Sequence, residues 1–564
     1  MSELLTALSV VFIVAGVFVL IANRFDVPSV PALIAAGLVA GLFIDEGLTL
    51  ELARFGIAFL VFVFGAQLNF SAVQSVLRDG EIVGTVQFLF TGALGFAVGL
   101  LVGFDERNAL YLGCATALRS TIVGTGLLKT EIRKNLVYGR LAESIHFVQD
   151  ILAILLILLL SAEAFVIDDI ILKIGYGVVI LALAYVVNRY VYDQMIRLAE
   201  GSQELLLIGS IALLIAFLGL SELVGVSIVV GAFAAGVAVR RDATQNLGML
   251  NGLESIKDFF VAVFFVTLGA LVSIPTLDAF LVAGLLIVLT AIIKPIVTTV
   301  VLIREGYDPR TAVLTSLSLD QVSEFALIIA IEAFIVGLLV PELFDAIILA
   351  AVVTMFTSMF TRRNDERIYR AFANLGLLKA GHAKVDSQSR IPDDITDHVV
   401  IVGFGRQGRQ LVDECAEMNC PYVVIENDPL LLDALEREAD AFVFGDAMES
   451  YTWEKANVDD ARLVVSTVEQ ERVSERILGL DTDAEIVLRA PDAKTALSLC
   501  DRGALYVNVP DLLAAERLHE HIEAIADDDS GRAARDIREH HLAELAAMER
   551  KGFDSLHDGA ELLR

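Results

Sequence analysis

The chain has 564 residues, 56% of them hydrophobic, and a mean hydropathy of +0.68, which excludes an ordinary soluble protein of two or three domains. Its 72 acidic against 42 basic residues give a net charge of -30, which excludes DNA and RNA as partners. The acidity is uneven: residues 364–564 hold 22 Lys+Arg and 42 Asp+Glu, while residues 1–363 hold 20 and 30. Only 10 of the basic residues are lysine, and a Lys-poor, acid-rich soluble surface points to a salt-rich cytoplasm and a halophilic source. Cys114, Cys415, Cys420 and Cys500 show no metal-ligand spacing, which points to a reduced intracellular compartment without a disulfide framework.

Apolar runs of membrane-crossing length fall near 4–22, 30–44, 52–69, 82–103, 108–128, 136–161, 168–188, 204–220, 223–239, 258–273, 278–303, 311–337 and 342–361. The first lacks the basic flank of a secretory signal and reads as a membrane helix. Alternating the loops places Lys129, Arg133, Lys134, Arg140, Arg189, Arg197, Arg240, Arg241, Arg304, Arg310, Arg362 and Arg363 on one side, and only Arg54, Arg107 and Lys173 on the other. The positive-inside rule then predicts a plasma-membrane protein with its N-terminus outside and its C-terminal domain in the cytoplasm.

Polar residues interrupt the fifth span at Ala117–Thr121 and the twelfth at Ser318–Glu324. Such breaks are tolerated only where the backbone is buried in protein or lines a cavity, and their pairing predicts inverted repeats of spans one to six and eight to thirteen, with span seven as linker. An ionised group at mid-bilayer costs at least roughly 2.5 to 3.5 kcal/mol, so each one needs a partner or a use. Asp150 and Lys294 are equally deep. Asp150 is the candidate for exchanging a proton against a metal ion, the alternative being a static Asp150–Lys294 ion pair. Arg119 could neutralise Asp320 or Glu324 across the breaks. His146, one turn before Asp150, is a proton relay or a packed neutral ring, and Glu143 a solvated end residue.

Beyond Arg363 a polar stretch of about 30 residues leads to the strand-like Val399–Val402, and Gly403-Phe404-Gly405-Arg406-Gln407-Gly408 opens a helical pattern. These glycines suit a phosphate at a helix N-terminus, and Glu426, ending the next strand-like run, suits ribose hydroxyls. Further runs at 441–444, 463–466 and 486–488 predict a doubly wound parallel sheet. No hydride-transfer site is apparent, so a regulatory use is preferred to an enzymatic one. The organisation is therefore a multi-pass α-helical membrane domain over 1–363, a linker over 364–396, a Rossmann-like α/β domain over 397–510 and a charged helical tail over 511–564.

Val224–Gly236, with its Gly-x-Ser and Gly-Ala-Phe-x-Ala-Gly elements, resembles the monovalent cation:proton antiporter-2 family, specifically Kef-type potassium/proton antiporters with a C-terminal KTN (RCK N-lobe) domain. Glu51–Phe70, Phe264–Gly269, Gln149-Asp150 and Gln321-x-x-Glu324-Phe325 add to the likeness, which extends to about residue 510. The resemblance implies that Asp150 binds the cation or proton, with Lys294 as competing basic partner and Gln149, Ser120, Thr121, Gln321 and Glu324 completing the ion site. It implies one-for-one exchange, an elevator motion against a dimerisation domain, and a homodimer through the membrane and KTN domains. Gly403, Gly405, Arg406, Gln407, Gly408, Glu426, Asp446 and Ala447 would hold an adenine nucleotide: AMP, ATP or NAD(H). Arg119 stands where the family has a small polar residue, Ser323 where it has glycine, and His146 where it has an apolar residue. The expectation is a potassium/proton antiporter regulated by nucleotide. The alternatives are a sodium/proton antiporter, a nucleotide-gated cation channel and a membrane-tethered sensor.

Overall fold

The structure, a computed structural model, describes residues 3–25, 27–67, 77–133, 136–160, 167–199, 202–239, 247–273, 275–375, 378, 382–392, 395–428, 431–526 and 532–550. Lys134, Arg240, Arg241, residues 68–70 and the end of the tail lie outside the described residues. The chain divides into two compact units, Met1–Leu375 and Gly376–Arg564.

The first unit is helical at every predicted run: α1 (Glu3–Arg24), α2 (Ser29–Ala40), α3 (Glu46–Gln67), α4 (Leu77–Val102), α5 (Glu106–Ala117) and α6 (Thr121–Leu127), α7 (Val137–Leu160), α8 (Ile167–Val186), α9 (Gln203–Leu223), α10 (Ile228–Ala238), α11 (Leu247–Ala270), α12 (Leu277–Glu305), α13 (Pro309–Leu317) and α14 (Glu324–Ile335), and α15 (Pro341–Arg363). Seven helices among the described residues are long and apolar enough to cross a membrane. They turn large side chains outward, as with Leu101 at 85% and Leu223 at 86% exposure, which suits helices surrounded by hydrocarbon rather than water.

The packing repeats itself with an offset of seven spans. Helix α1 packs on α2 as α9 does on α10, α4 on α5 as α12 on α13, and α4 on α7 as α12 on α15. The two halves interlock where α2 meets α11 and α10 meets α3. Glycines permit both crossings: a Cβ on Gly37 would lie 2.2 Å from the Val266 carbonyl oxygen, and one on Gly236 2.2 Å from that of Phe62. Small residues that let backbones approach are the usual means of packing helices in lipid. After α15, residues 365–374 form α16 (Asp365–Asn374), which is held by Arg310 Nε donating to Glu366 at 3.0 Å. The first third of the predicted linker is therefore ordered against the helical unit.

The second unit carries a six-stranded, wholly parallel sheet of β1 (His398–Val402), β2 (Tyr422–Glu426), β3 (Phe442–Phe444), β4 (Ala461–Ser466), β5 (Glu485–Arg489) and β6 (Tyr506–Asn508), in the order β3-β2-β1-β4-β5-β6. The order reverses beside β1, which places a crevice at the carboxyl ends of β1 and β4. Helix α17 (Arg406–Glu417) leaves the glycine turn there. After β6, α18 (Pro510–Ala526) buries none of its residues.

Candidate functional site

The two breaks meet inside the helical unit. Chain runs extended through Leu118 and Ser120 between α5 and α6, and α14 starts at Glu324 after a second gap. Ser120 and Ser323 cap the helices that follow, accepting from Val123 N at 3.1 Å and Phe325 N at 2.9 Å. Four helix ends therefore point into the crossing, two carrying partial positive and two partial negative charge.

One acid and one base answer these ends. Glu324 accepts from the Thr121 N–H (3.0 and 3.1 Å to its two oxygens) and from Ile122 N at 3.0 Å, so one carboxylate sits at the N-termini of both α6 and α14. Lys294 is fully buried and donates to Leu118 O at 2.7 Å and Gln321 O at 3.2 Å, taking carbonyls from both gaps. A π-helical turn at Leu289–Ile293 sets its position. Pro295 has no N–H to give, and the Lys294 N–H reaches back to Leu289 O; such bulges are frequent at functional sites. The Asp150–Lys294 ion pair is not formed: the lysine's protons go to carbonyls. Asp320 is held instead by the hydroxyls of Ser358 (2.6 Å) and Thr361 (2.9 Å).

Asp150 is 4% exposed and accepts a single hydrogen bond among the described residues, from Thr121 Oγ1 to Oδ1 at 2.8 Å. Thr121 and Glu324 in turn line a cavity of about 550 Å³, whose wall also holds Thr125, Lys129, Glu143 and Lys257. Asp150 thus lies one hydroxyl behind the cavity. Gln149 donates to Gly84 O at 3.3 Å and to Gln87, which donates to Ala117 O at 3.2 Å. Among the described residues the Gln149 and Gln321 side-chain oxygens are buried without a partner, as are all three guanidinium nitrogens of Arg119. Arg119 therefore bonds neither Asp320 nor Glu324. Both His146 ring nitrogens face carbonyls, of Ala142 at 2.6 Å and Ser120 at 3.2 Å, and Gly124 leaves the ring its space. Gln87, Ser358 and Thr361 were not among the predicted site residues. Gln87 was detectable as an amide in the middle of an apolar run.

In the second unit the glycine turn is shaped by contact. Gly403 has φ +93°, and a Cβ on Gly408 would lie 1.9 Å from the Gly403 carbonyl oxygen, whereas nothing stands within 4 Å of one on Gly405. Backbone is thereby exposed at the N-terminus of α17, where phosphate binds readily. Glu426 ends β2 and accepts from Phe404 N (2.7 Å), Asn427 N (2.8 Å) and Asp428 N (2.9 Å). Three bonds leave lone-pair capacity on a carboxylate. Burial, reinforced by Asp428, holds Glu426 above the ordinary carboxylate range. Gln407 accepts from Arg489 at 2.8 Å, Arg406 is exposed, and Asp446 and Ala447 are buried beyond β3, with Asp446 accepting from Met448 N at 2.9 Å. The open Gly405 front and the adjacent acid fit a nucleotide's phosphate and ribose.

The transmembrane sodium/hydrogen exchanger family matches residues 8–363, and the TrkA-N domain matches residues 399–510. The putative cation/proton antiporter YbaL of Escherichia coli (strain K12) is 26% identical over 556 residues, 93% of this chain and 98% of that protein. The putative K(+) efflux antiporter KefB of Alkalimonas amylolytica is 26% identical over 529 residues, 89% of this chain and 79% of that one. The crystal structure of the YbaL TrkA-N domain aligns at 26% identity and a TM-score of 0.22, covering 22% of this chain and 97% of that one. Members of this family are transporters rather than enzymes. The chain belongs to the sodium/hydrogen exchanger family, as a Kef-type cation/proton antiporter of the monovalent cation:proton antiporter-2 group with a C-terminal TrkA-N domain.

Proposed function

We propose that the chain exchanges potassium for protons, one for one, in the direction of potassium efflux, and that Asp150 is the group that holds either ion in turn. The observation that carries this reading is the inventory of carboxylates at the crossing. Glu324 and Asp320 have both oxygens engaged, whereas Asp150 keeps Oδ2 free of hydrogen bonds among the described residues. Ionised, it attracts a cation; protonated, it has no charge with which to hold one, so the two occupants exclude each other. Orphaned oxygens on Gln149 and Gln321 are further ligands for a partly dehydrated cation, and Ser120 and Thr121 set the geometry. Lys294 and Glu324 serve the site by fixing the crossing.

The unit over 1–363 carries transport, 364–396 joins it to a domain over 397–510, and 511–564 is a charged tail. The N-terminus is outside and the soluble domain cytoplasmic, in the plasma membrane of a halophile. Gly403, Gly405 and Gly408 with Arg406 and Gln407 would hold the phosphates of AMP, ATP or NAD(H), Glu426 the ribose, and Asp446 with Ala447 the adenine side, so that nucleotide regulates exchange. The working form is a homodimer.

Proteoliposomes bearing an internal pH dye test the reading. Asp150→Asn keeps the shape and cannot ionise, so cation-dependent proton movement is lost while the thermal midpoint in detergent is kept; retained exchange overturns the assignment. The same assay with potassium replaced by sodium decides the cation, and a nucleotide series decides the regulator.

A further inference from the structure

Helix α17 ends in a reversal that brings two cysteines together. Asn419 sits at φ +52°, and the Cys420 N–H returns to the Cys415 carbonyl at 2.8 Å, the kind of left-handed closure that ends many helices. The turn folds residue 420 back over residue 415, and the Cys420 side chain packs against the apolar cluster that contains Cys415. Cys415 is buried in the apolar cluster that contains Tyr422 and Val424, while Cys420 is half-buried. Arg462, at the start of β4, donates through Nη2 to Cys420 Sγ at 3.2 Å, and its Nη1 lies 3.7 Å from Asp397. This cluster occupies the amino ends of the strands, the opposite edge of the sheet from the glycine turn, and no step of transport or nucleotide binding uses it.

We propose that Cys420 and Cys415 form a peroxide-oxidisable dithiol, with Cys420 as the attacking sulfur and Cys415 as the resolving one. The accessible sulfur with a guanidinium against it is the one a peroxide reaches, since a cation beside a sulfur favours its reaction as nucleophile. Burial pushes the Cys415 thiol up, which suits a group that keeps its proton until the second step. In the first step Cys420 sulfur attacks a peroxide oxygen: an S–O bond forms, the O–O bond breaks, and the leaving hydroxide takes the Cys420 thiol proton as water. In the second, Cys415 sulfur attacks the sulfenic sulfur: the S–S bond forms, the S–O bond breaks, and hydroxide takes the thiol proton as water. Two thiols and one hydrogen peroxide give one disulfide and two waters, the sulfurs losing two electrons to the peroxide. The product ties the end of α17 to the start of β2.

The full-length protein in detergent provides the test. Both cysteines fall on one tryptic peptide between Arg409 and Arg437, so the wild-type chain suffices. After hydrogen peroxide, two of the four thiols should vanish together, and that peptide should be lighter by two hydrogens until dithiothreitol restores it. Cys415→Ser should stop at a sulfenic acid on Cys420 that dimedone traps, Cys420→Ser should leave Cys415 reduced, and Arg462→Gln should slow the thiol loss. Cys500, which is exposed, is the internal comparison. Oxidation of Cys500 while the 415–420 peptide keeps both hydrogens, or equal rates in the Arg462→Gln and wild-type chains, would overturn the proposal.

Discussion

Thr121 and Arg119 stand two residues apart and act in opposite directions on a cation held at Asp150. The Thr121 hydroxyl donates to Asp150 Oδ1, and a hydrogen bond to a charged group contributes roughly 1.5–3 kcal/mol. Thr121→Val keeps the shape and removes the donor, so the apparent KM for the cation should rise about tenfold or more. Arg119 is buried with no hydrogen-bond partner on any guanidinium nitrogen among the described residues, and a fixed cation in the core repels a second one. Arg119→Gln should therefore lower the KM. Ion-dependent flux in proteoliposomes reads both, and a change of the same sign in the two variants contradicts the assignment of charge. In the soluble unit, His398 is buried, with Nε2 against Ala456 O at 2.9 Å, and burial holds its pKa below 6.5. The folded ring stays neutral where the unfolded one binds a proton. Its stabilising contribution is thus present above pH 6.5 and lost as pH falls through the lower folded value. Glu426, raised above 4.5, runs the other way: its contribution is present below pH 4.5 and lost as pH rises through the folded value. His398→Gln should flatten the acid-side fall of the soluble unit's unfolding midpoint just below pH 6.5, measured by following Trp453 fluorescence, and an unchanged slope rules His398 out as its source.

The interlocking helices depend on missing side chains rather than on present ones. A Cβ on Gly236 would meet the Phe62 carbonyl oxygen at 2.2 Å and Ala66 N at 2.8 Å, both backbone, while one on Gly284 would meet nothing within 4 Å. Overpacking costs about 1–3 kcal/mol where neighbours can move, and backbone in a helix crossing cannot. Gly236→Ala should lower the thermal midpoint in detergent sharply and Gly284→Ala should not; equal midpoints would remove the crossing from the account of stability. The contrast marks what a sequence conveys. Spans are legible because lipid demands about 20 apolar residues in a row, and the breaks because Arg119 and Asp320 stand where apolar residues belong. Strands β1 and β2 are legible as continuous β-branched runs bounded by turns, whereas β6, three residues long, carries too little pattern. Partner choice is illegible for a different reason. Equal depth made Lys294 and Asp150 look like a pair, but an ammonium has three protons to place, and carbonyls freed by two broken helices compete for them. Such competition is settled only by tertiary geometry, which also hid the shared use of Glu324 by two helix N-termini.

At the scale of the whole chain the two units answer to different solvents. The helical unit is fixed by lipid outside and by helix crossings inside, and its buried Lys294, Asp320 and Glu324 are held by carbonyls, hydroxyls and N–H groups that salt does not reach. Residues 376–564 carry 40 acidic against 20 basic residues, so like charges crowd one another and oppose compactness. Raising potassium chloride from about 0.1 M to about 1 M shortens the screening length from ~10 Å to ~3 Å. Repulsion between neighbouring surface carboxylates then fades, while paired contacts such as Arg409 with Glu438 at 3.0 Å contribute only about 0–1 kcal/mol to be lost. The soluble unit should therefore unfold at a higher temperature in concentrated salt. Trp453, the single tryptophan and buried in that unit, reports this transition apart from the membrane helices. A midpoint that falls with potassium chloride would mean that attractive pairs outweigh the acid excess, and would remove the physical basis for reading this surface as adapted to salt.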